Sequence, residues 1–275
     1  GTVTINSTPI TNQAGLAVTS GGRVASGFPG QYMQNSGPPP THPSLASYVV
    51  GAFVDASGNV MTTAEFGWVA PLYIPVVVDV GANIGIMTLG ASLIVGSEGK
   101  IYSIEPHPKT FNFLKGNIAL NRFTNIEIFN VALGSSSGNI LFSNKKSDDQ
   151  NAVIMNENGI SVPIRRLDEL IDSTNIALLK IDVEGYEKFV LTGTTKLFKY
   201  IECIIFESWA IVKYDYSIES TYDLLLDNDF QLFRFSGIKE ISPITRNFQP
   251  SSPGEDLLAI KNIEDFILRT NYKIV

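Results

Sequence analysis

A short apolar run, a glycine turn and a second apolar run tipped by an acid constrain this chain more than any other feature. Val76-Val-Val-Asp-Val80 reads as a buried strand, and Gly81-Ala-Asn-Ile-Gly85 as the turn that follows it. Ile101-Tyr-Ser-Ile104 reads as a second strand and runs into Glu105, 20 residues beyond Gly85. Fully apolar strands of this kind belong to parallel sheets covered on both faces, joined by crossover helices. Ligands of such sheets bind outside the carboxyl ends of the strands, where these glycines and acids fall.

The loop spacing is Gly81-x-x-x-Gly85, with Asn83 between the glycines. It is not the Gly-x-Gly-x-x-Gly arrangement that turns backbone amides toward a pyrophosphate. An acid ahead of the loop suits a ligand with an amino group better than one with phosphates. S-adenosylmethionine carries an ammonium, a ribose and an adenine but no phosphate, so it fits better than NAD. Gly81 and Gly85 permit the sharp turn and a close backbone approach. Asp79 is expected to receive the ligand's ammonium group or to hold the loop by accepting amide bonds. Glu105 stands where a carboxylate accepts from both ribose hydroxyls, or where it stabilises the N-terminus of the helix opened by Pro108. A loop histidine on the surface is the expectation for His107.

Bulk properties narrow the classes. A chain of 275 residues is one large domain or one domain with an appendage, and 44% hydrophobic content is ample for a core. A net charge of −7 argues against nucleic acid, whose binding rests on clustered Lys and Arg. The single cysteine, Cys203, lies in the apolar run Ile201–Phe206 and reads as a buried core thiol. No run approaches the roughly 18 apolar residues of a membrane span, and no signal peptide opens the chain. A cytoplasmic protein is expected. The first residue is Gly rather than Met, which points to a longer parent chain.

Composition changes near residue 70. Residues 1–70 hold only Arg23, Asp55 and Glu65 as charged side chains and contain the breaker Gly37-Pro-Pro-Pro40. Residues 1–45 read as an irregular, partly β arm and residues 46–70 as a hairpin turning at Asp55-Ala-Ser-Gly58. An edge in this arm is a candidate surface for oligomers. From residue 71 onward strands alternate with helices, which specifies a three-layer α/β fold. Helices are expected at Ile84–Val95, Pro108–Asn121, Arg166–Ile171, Tyr186–Leu197, Ser217–Asp227 and Glu264–Asn271. Strands are expected at Asn125–Val131, Val162–Ile164, Ala177–Val183, Glu202–Glu207, Phe230–Phe235 and Leu257–Lys261. The polar stretch Gly134–Gly159 reads as a loop.

Three blocks together resemble the FkbM family of S-adenosylmethionine-dependent methyltransferases: Asp79-Val-Gly-Ala-Asn-Ile-Gly85, Glu105-Pro-His-Pro108 with Leu114-Lys-Gly-Asn117, and Leu178-Leu-Lys-Ile-Asp-Val-Glu-Gly-Tyr-Glu187. The turn Leu167-Asp-Glu-Leu170 and the strand end Phe206-Glu207 also match. The likeness spans roughly residues 74–210. It implies a Rossmann-like methyltransferase sheet, usually seven-stranded with its last pair antiparallel, and O-methylation of a saccharide or natural product. By the same resemblance Asp79, Gly81, Ala82, Asn83, Gly85 and Glu105 bind the cofactor. Asn130 or the Val131 amide reads the adenine edge, unless Asn130 merely caps a strand.

Lys180, Asp182 and Glu184 stand at i, i+2 and i+4 and are expected on one face of a strand and its exit. Lys180 is expected to pair with a carboxylate, and Asp182 to lie nearest the transferring methyl. Glu184 either lines the reaction centre or serves as the N-terminal acid of the next helix. Asp182 or His107 would act as general base on a hydroxyl. A Mg²⁺ gripped by Asp182 with Glu184 or Glu207 is the weaker choice, because no full ligand set is visible. With His42 and His107 the only histidines, one chain cannot build a multi-histidine metal site. Trp209 and Tyr186 either stack on the acceptor or pack in the core. The contrasting reading is a non-catalytic binding or assembly module on the same scaffold.

Overall fold

The computed structural model describes residues 75–145, 151–155, 159–173, 175–211, 213–251 and 254–275, together with the backbone of two short strands. Those two, β1 (Gly22–Gly27) and β2 (Gly30–Asn35), pair antiparallel. The hairpin expected at 46–70 lies outside the described residues.

The principal sheet begins with β3 (Val76–Val80), β4 (Lys100–Ile104) and β5 (Ile126–Phe129), all parallel. On the other side of β3 lie β9 (Ile176–Ile181) and β10 (Ile201–Trp209), also parallel. The strand β13 (Gly254–Ile260) runs antiparallel to β10, and β11 (Gln231–Gly237) pairs antiparallel with β13. The order β5-β4-β3-β9-β10-β13-β11 is therefore seven strands with one reversed. Two short strands, β12 (Glu240–Pro243) and β14 (Lys273–Ile274), extend the edge to nine. Neither was expected from the sequence. The first forms because the chain turns back directly after β11, and the second because the C-terminus returns beside it.

Val78, Leu179, Ile204 and Leu257 sit at 0% exposure in adjacent strands, so the sheet's centre is the core. Helix α1 (Ile86–Val95) starts two residues later than its apolar pattern suggests, because Gly85 at φ +97° is its N-cap. Helix α2 (Pro108–Asn121) has the expected bounds, with proline at its first position. The helix expected at Tyr186–Leu197 divides into α4 (Glu187–Thr192) and a 3-10 turn at Thr195–Tyr200. At the division a Cβ on Gly193 would stand 2.0 Å from the carbonyl oxygen of Gly134, so the chain there packs backbone on backbone.

The polar stretch after residue 133 is not a plain loop. A small second sheet joins β6 (Ala132–Leu133), β8 (Ile160–Arg165) and β7 (Gly138–Phe142). Ala132, Phe142, Val162 and Ile164 form its own apolar cluster, which reaches Tyr186. After it comes α3 (Leu167–Leu170), where the Arg166 guanidinium grips Asp168 through two hydrogen bonds, 2.9 Å and 2.6 Å. The same guanidinium donates to the Ser135 carbonyl at 2.8 Å, which fastens the small sheet beside α4. Helices α5 (Ile218–Leu226) and α6 (Ile263–Thr270) complete the layers, capped by Ser217 and Asn262 side chains. No helix among the described residues is long and apolar enough to cross a membrane.

Candidate active site

A cleft of about 250 Å³ opens at the carboxyl ends of β3, β4 and β9. The small sheet contributes Ala132, Leu133 and Phe142 to its wall. Of the sequence-predicted residues, Gly81, Asn83, Glu105, Val131, Asp182 and Glu184 line it. Asp79, Ala82, Gly85, His107 and Asn130 do not.

The turn is built for close packing. Gly81 has φ +76°, and a Cβ there would stand 1.8 Å from the Asp182 carbonyl oxygen. Gly85 at φ +97° faces the Leu114 side chain. Both glycines are thus required by neighbouring protein atoms. The amides of Gly81 and Ala82 donate to the Ile104 carbonyl, each at 3.0 Å, which ties the turn to β4.

Glu105 closes the turn from the other side. One carboxylate oxygen accepts the Asn83 amide at 3.0 Å and the other the His107 amide at 2.8 Å. Each oxygen retains a lone pair for a further donor. Burial pushes its pKa up to about 7, against the two amides that favour the charged form. A buried carboxylate with spare acceptor capacity beside apolar Ile104, Val131 and Phe142 matches a ribose diol next to a flat base. The residues present fit S-adenosylmethionine on these grounds.

Asp79 is 1% exposed and is engaged elsewhere. It accepts from Thr88 Oγ1 at 2.6 Å and faces the Lys180 ammonium at 3.4 Å. Lys180 in turn reaches Asp182 at 3.2 Å. Burial would lower the Lys180 pKa, but the charges of Asp182 and Asp79 outweigh it and raise the ammonium above the usual lysine range. Asp182 itself leaves half its side chain exposed to the cleft. The expected lysine–carboxylate pair is therefore present, doubled.

Glu184 departs from the alternation expected of it. The strand ends at Ile181, and Glu184 adopts φ +59°. Its carboxylate turns toward Lys213 at 3.7 Å. The first acid of the next helix is instead Glu187, whose Oε1 accepts the amides of Val183 at 3.3 Å and Gly185 at 3.0 Å. Burial raises its carboxyl to about 7. Glu207 is raised to about 8, first by burial and then by Asp182, Glu187, Glu184 and Asp256. Among the described residues no group of three or more His, Cys, Asp or Glu is placed to hold a metal ion.

One loop expectation is corrected. His107 is not a surface residue: it is 4% exposed, with Nε2 3.1 Å from Asn144 and Nδ1 3.4 Å from Thr110. Both ring nitrogens are thus occupied by neighbours, and the ring does not line the cleft. Asn130 donates to the Glu105 and Pro106 carbonyls at 2.9 Å and 3.0 Å and holds the second loop in place.

The residues that the sequence did not single out follow β10. Lys213 donates to the Glu184 carbonyl at 3.0 Å, Tyr216 to the Gly185 carbonyl at 2.8 Å, and Tyr214 to the Val153 carbonyl at 2.9 Å. Tyr186 stacks on Phe189 with ring centroids 4.5 Å apart and meets Tyr214 edge to face at 5.1 Å. Tyr186 thus packs on aromatic neighbours and also borders the cleft. The aromatic spacing Tyr214-x-Tyr216 just past a strand end was the available signal.

Seven strands with a single one reversed, and a cleft at the carboxyl ends of the parallel strands, make a Rossmann-like α/β fold with its cleft where such sheets bind ligands. Residues 79–235 match the family model for the methyltransferase FkbM domain, more than half of the 275 residues. The chain belongs to the FkbM methyltransferase family. It is 30% identical over 133 residues to a hexuronic acid methyltransferase of Haloferax volcanii, covering 47% of this chain and 54% of that one. It is 28% identical to Methyltransferase 1 of Beauveria bassiana, covering 42% of this chain and 57% of that one. The chain therefore spans about half the length of the curated relatives it matches. A solved FkbM methyltransferase from Methylobacillus flagellatus superposes with a TM-score of 0.45 and 16% identity, over 70% of this chain and 45% of that one.

Proposed function

We propose that this chain is an S-adenosylmethionine-dependent O-methyltransferase acting on a hydroxyl of a saccharide or small hydroxylated metabolite. The domain is taken to span 71–275, behind an arm at 1–70. The observation that carries the proposal is the half-exposed Asp182 carboxylate, fixed by Lys180 at the rim of the cleft that Glu105 closes. The relative named for hexuronic acid supports a sugar acceptor.

The cofactor supplies a methyl group already activated for displacement, so the protein's task is to align and deprotonate. Glu105 holds the ribose, and Gly81, Asn83 and Val131 shape the wall. Asp182 takes the hydroxyl proton as general base, and Lys180 keeps that carboxylate in place. A cytoplasmic location goes with this reading and is open to cell fractionation.

The test is calorimetric titration with S-adenosylhomocysteine and, in parallel, NAD⁺, followed by transfer of labelled methyl to a saccharide panel. Micromolar binding of the first alone, with label on a sugar hydroxyl, is expected. Binding of NAD⁺, or label on nitrogen or carbon, would overturn it.

A further inference from the structure

A second cavity, of about 590 Å³, adjoins the first, and Val153 and Glu184 line both. Its remaining walls include Trp209, Tyr214, Lys145 and Lys213. The described charges are two lysines against one glutamate, a local excess of +1 in a chain whose net charge is −7.

The lysines have donors to spare. An ammonium carries three N–H groups. Lys213 uses one on the Glu184 carbonyl at 3.0 Å, while the Glu184 carboxylate, at 3.7 Å, is too distant for a hydrogen bond. Its Nζ also lies 3.8 Å from the centroid of the Trp209 ring. The side chain of Lys145 is exposed and makes no ion pair with a described residue. Trp209 and Tyr214 add aromatic wall, on which the C–H face of a pyranose packs.

From this geometry we infer that the second cavity is the acceptor subsite and that it selects a carboxylate-bearing saccharide, with Lys213 and Lys145 reading the carboxylate. The inference rests on the methyl-transfer reading for the choice of acceptor, but its charge preference is measurable without turnover.

The probes are p-nitrophenyl β-D-glucuronide and p-nitrophenyl β-D-glucoside, titrated calorimetrically into the full chain with and without S-adenosylhomocysteine. The glucuronide is expected to bind about tenfold more tightly, the worth of one hydrogen bond to a charged group. In a Lys145→Gln/Lys213→Gln double variant that ratio is expected to fall toward one. Equal binding of the two probes, binding of neither, or an unchanged ratio in the double variant would overturn the inference. If the double variant does not fold, Lys145→Gln at its exposed position carries the test alone, with a partial fall expected. A chain that binds the glucuronide selectively but no S-adenosylhomocysteine keeps the subsite and loses the methyl-transfer reading.

Discussion

The Lys180 ammonium lies between two carboxylates, 3.4 Å from buried Asp79 and 3.2 Å from half-exposed Asp182. One cation thus links the interior of the sheet to the rim of the cleft. Lys180→Met would leave Asp79 charged and without its cation at 1% exposure. The expected cost is about 3 kcal/mol, read as a lower urea midpoint, because removing one member of a buried pair strands the other. A loss below about 1 kcal/mol would mean that Asp79 does not depend on Lys180 for its charge.

Asp182→Asn keeps the size of the side chain and removes its basicity. Turnover on a saccharide acceptor is expected to fall about 10²–10⁴-fold, while S-adenosylhomocysteine affinity stays within twofold. Near-normal turnover would remove Asp182 from the base role.

If Glu105 holds the ribose as proposed, cofactor binding depends on pH. Its carboxyl titrates near 7 in the folded chain against an ordinary value of 4.5, so the folded chain holds a proton that the unfolded chain has released. Stability from the neutral form is complete below about 4.5 and lost as pH rises through about 7. Binding runs in the opposite direction, because only the carboxylate accepts from both ribose hydroxyls. The affinity for S-adenosylhomocysteine should therefore rise between pH 6 and 8, the span of about one unit on each side of that pKa. In Glu105→Gln the affinity should be weaker and the rise absent. If the rise persists in the variant, another group governs it.

The two loop glycines should differ under substitution. Gly81→Ala drives a Cβ into the Asp182 carbonyl at 1.8 Å, a backbone atom just past the end of β9. Gly85→Ala meets the end of the Leu114 side chain at 2.6 Å, which can rotate aside. Both pay for positive φ, so the first is expected to cost about 3 kcal/mol or more and the second about half that. Equal urea midpoints for the two variants would contradict the packing described for Gly81.

Much of this was legible in the sequence because it is local. The apolar run Val76–Val80, Pro108 at a helix start and the charged exit after Ile181 each carry their instruction within a few residues. The small sheet was missed because β7 and β8 are joined through a polar stretch, and β7 buries only one of its five residues. Contacts between positions far apart in the chain were not legible. Asp79 falls inside the expected motif but turns toward a lysine 101 positions later, and His107 sits beside Glu105 yet is sealed by Asn144. Glu184 followed a strand's alternation on paper, but the strand had already ended.

Lys213, Tyr214 and Tyr216 fasten the loops around the cleft through side chains that reach backbone carbonyls. Every residue has such a carbonyl whatever its side chain, so these lashings survive sequence change on the loop side. Lys213 and Tyr214 also line the second cavity, whereas Gly81, Asn83, Glu105 and Val131 on the first stand some eighty or more positions earlier. On the proposed reading acceptor preference is set by separated stretches, Lys145 with residues 152–155 and Trp209 with Lys213 and Tyr214, so its redesign takes changes in both while the glycine turn and Glu105 stay as they are.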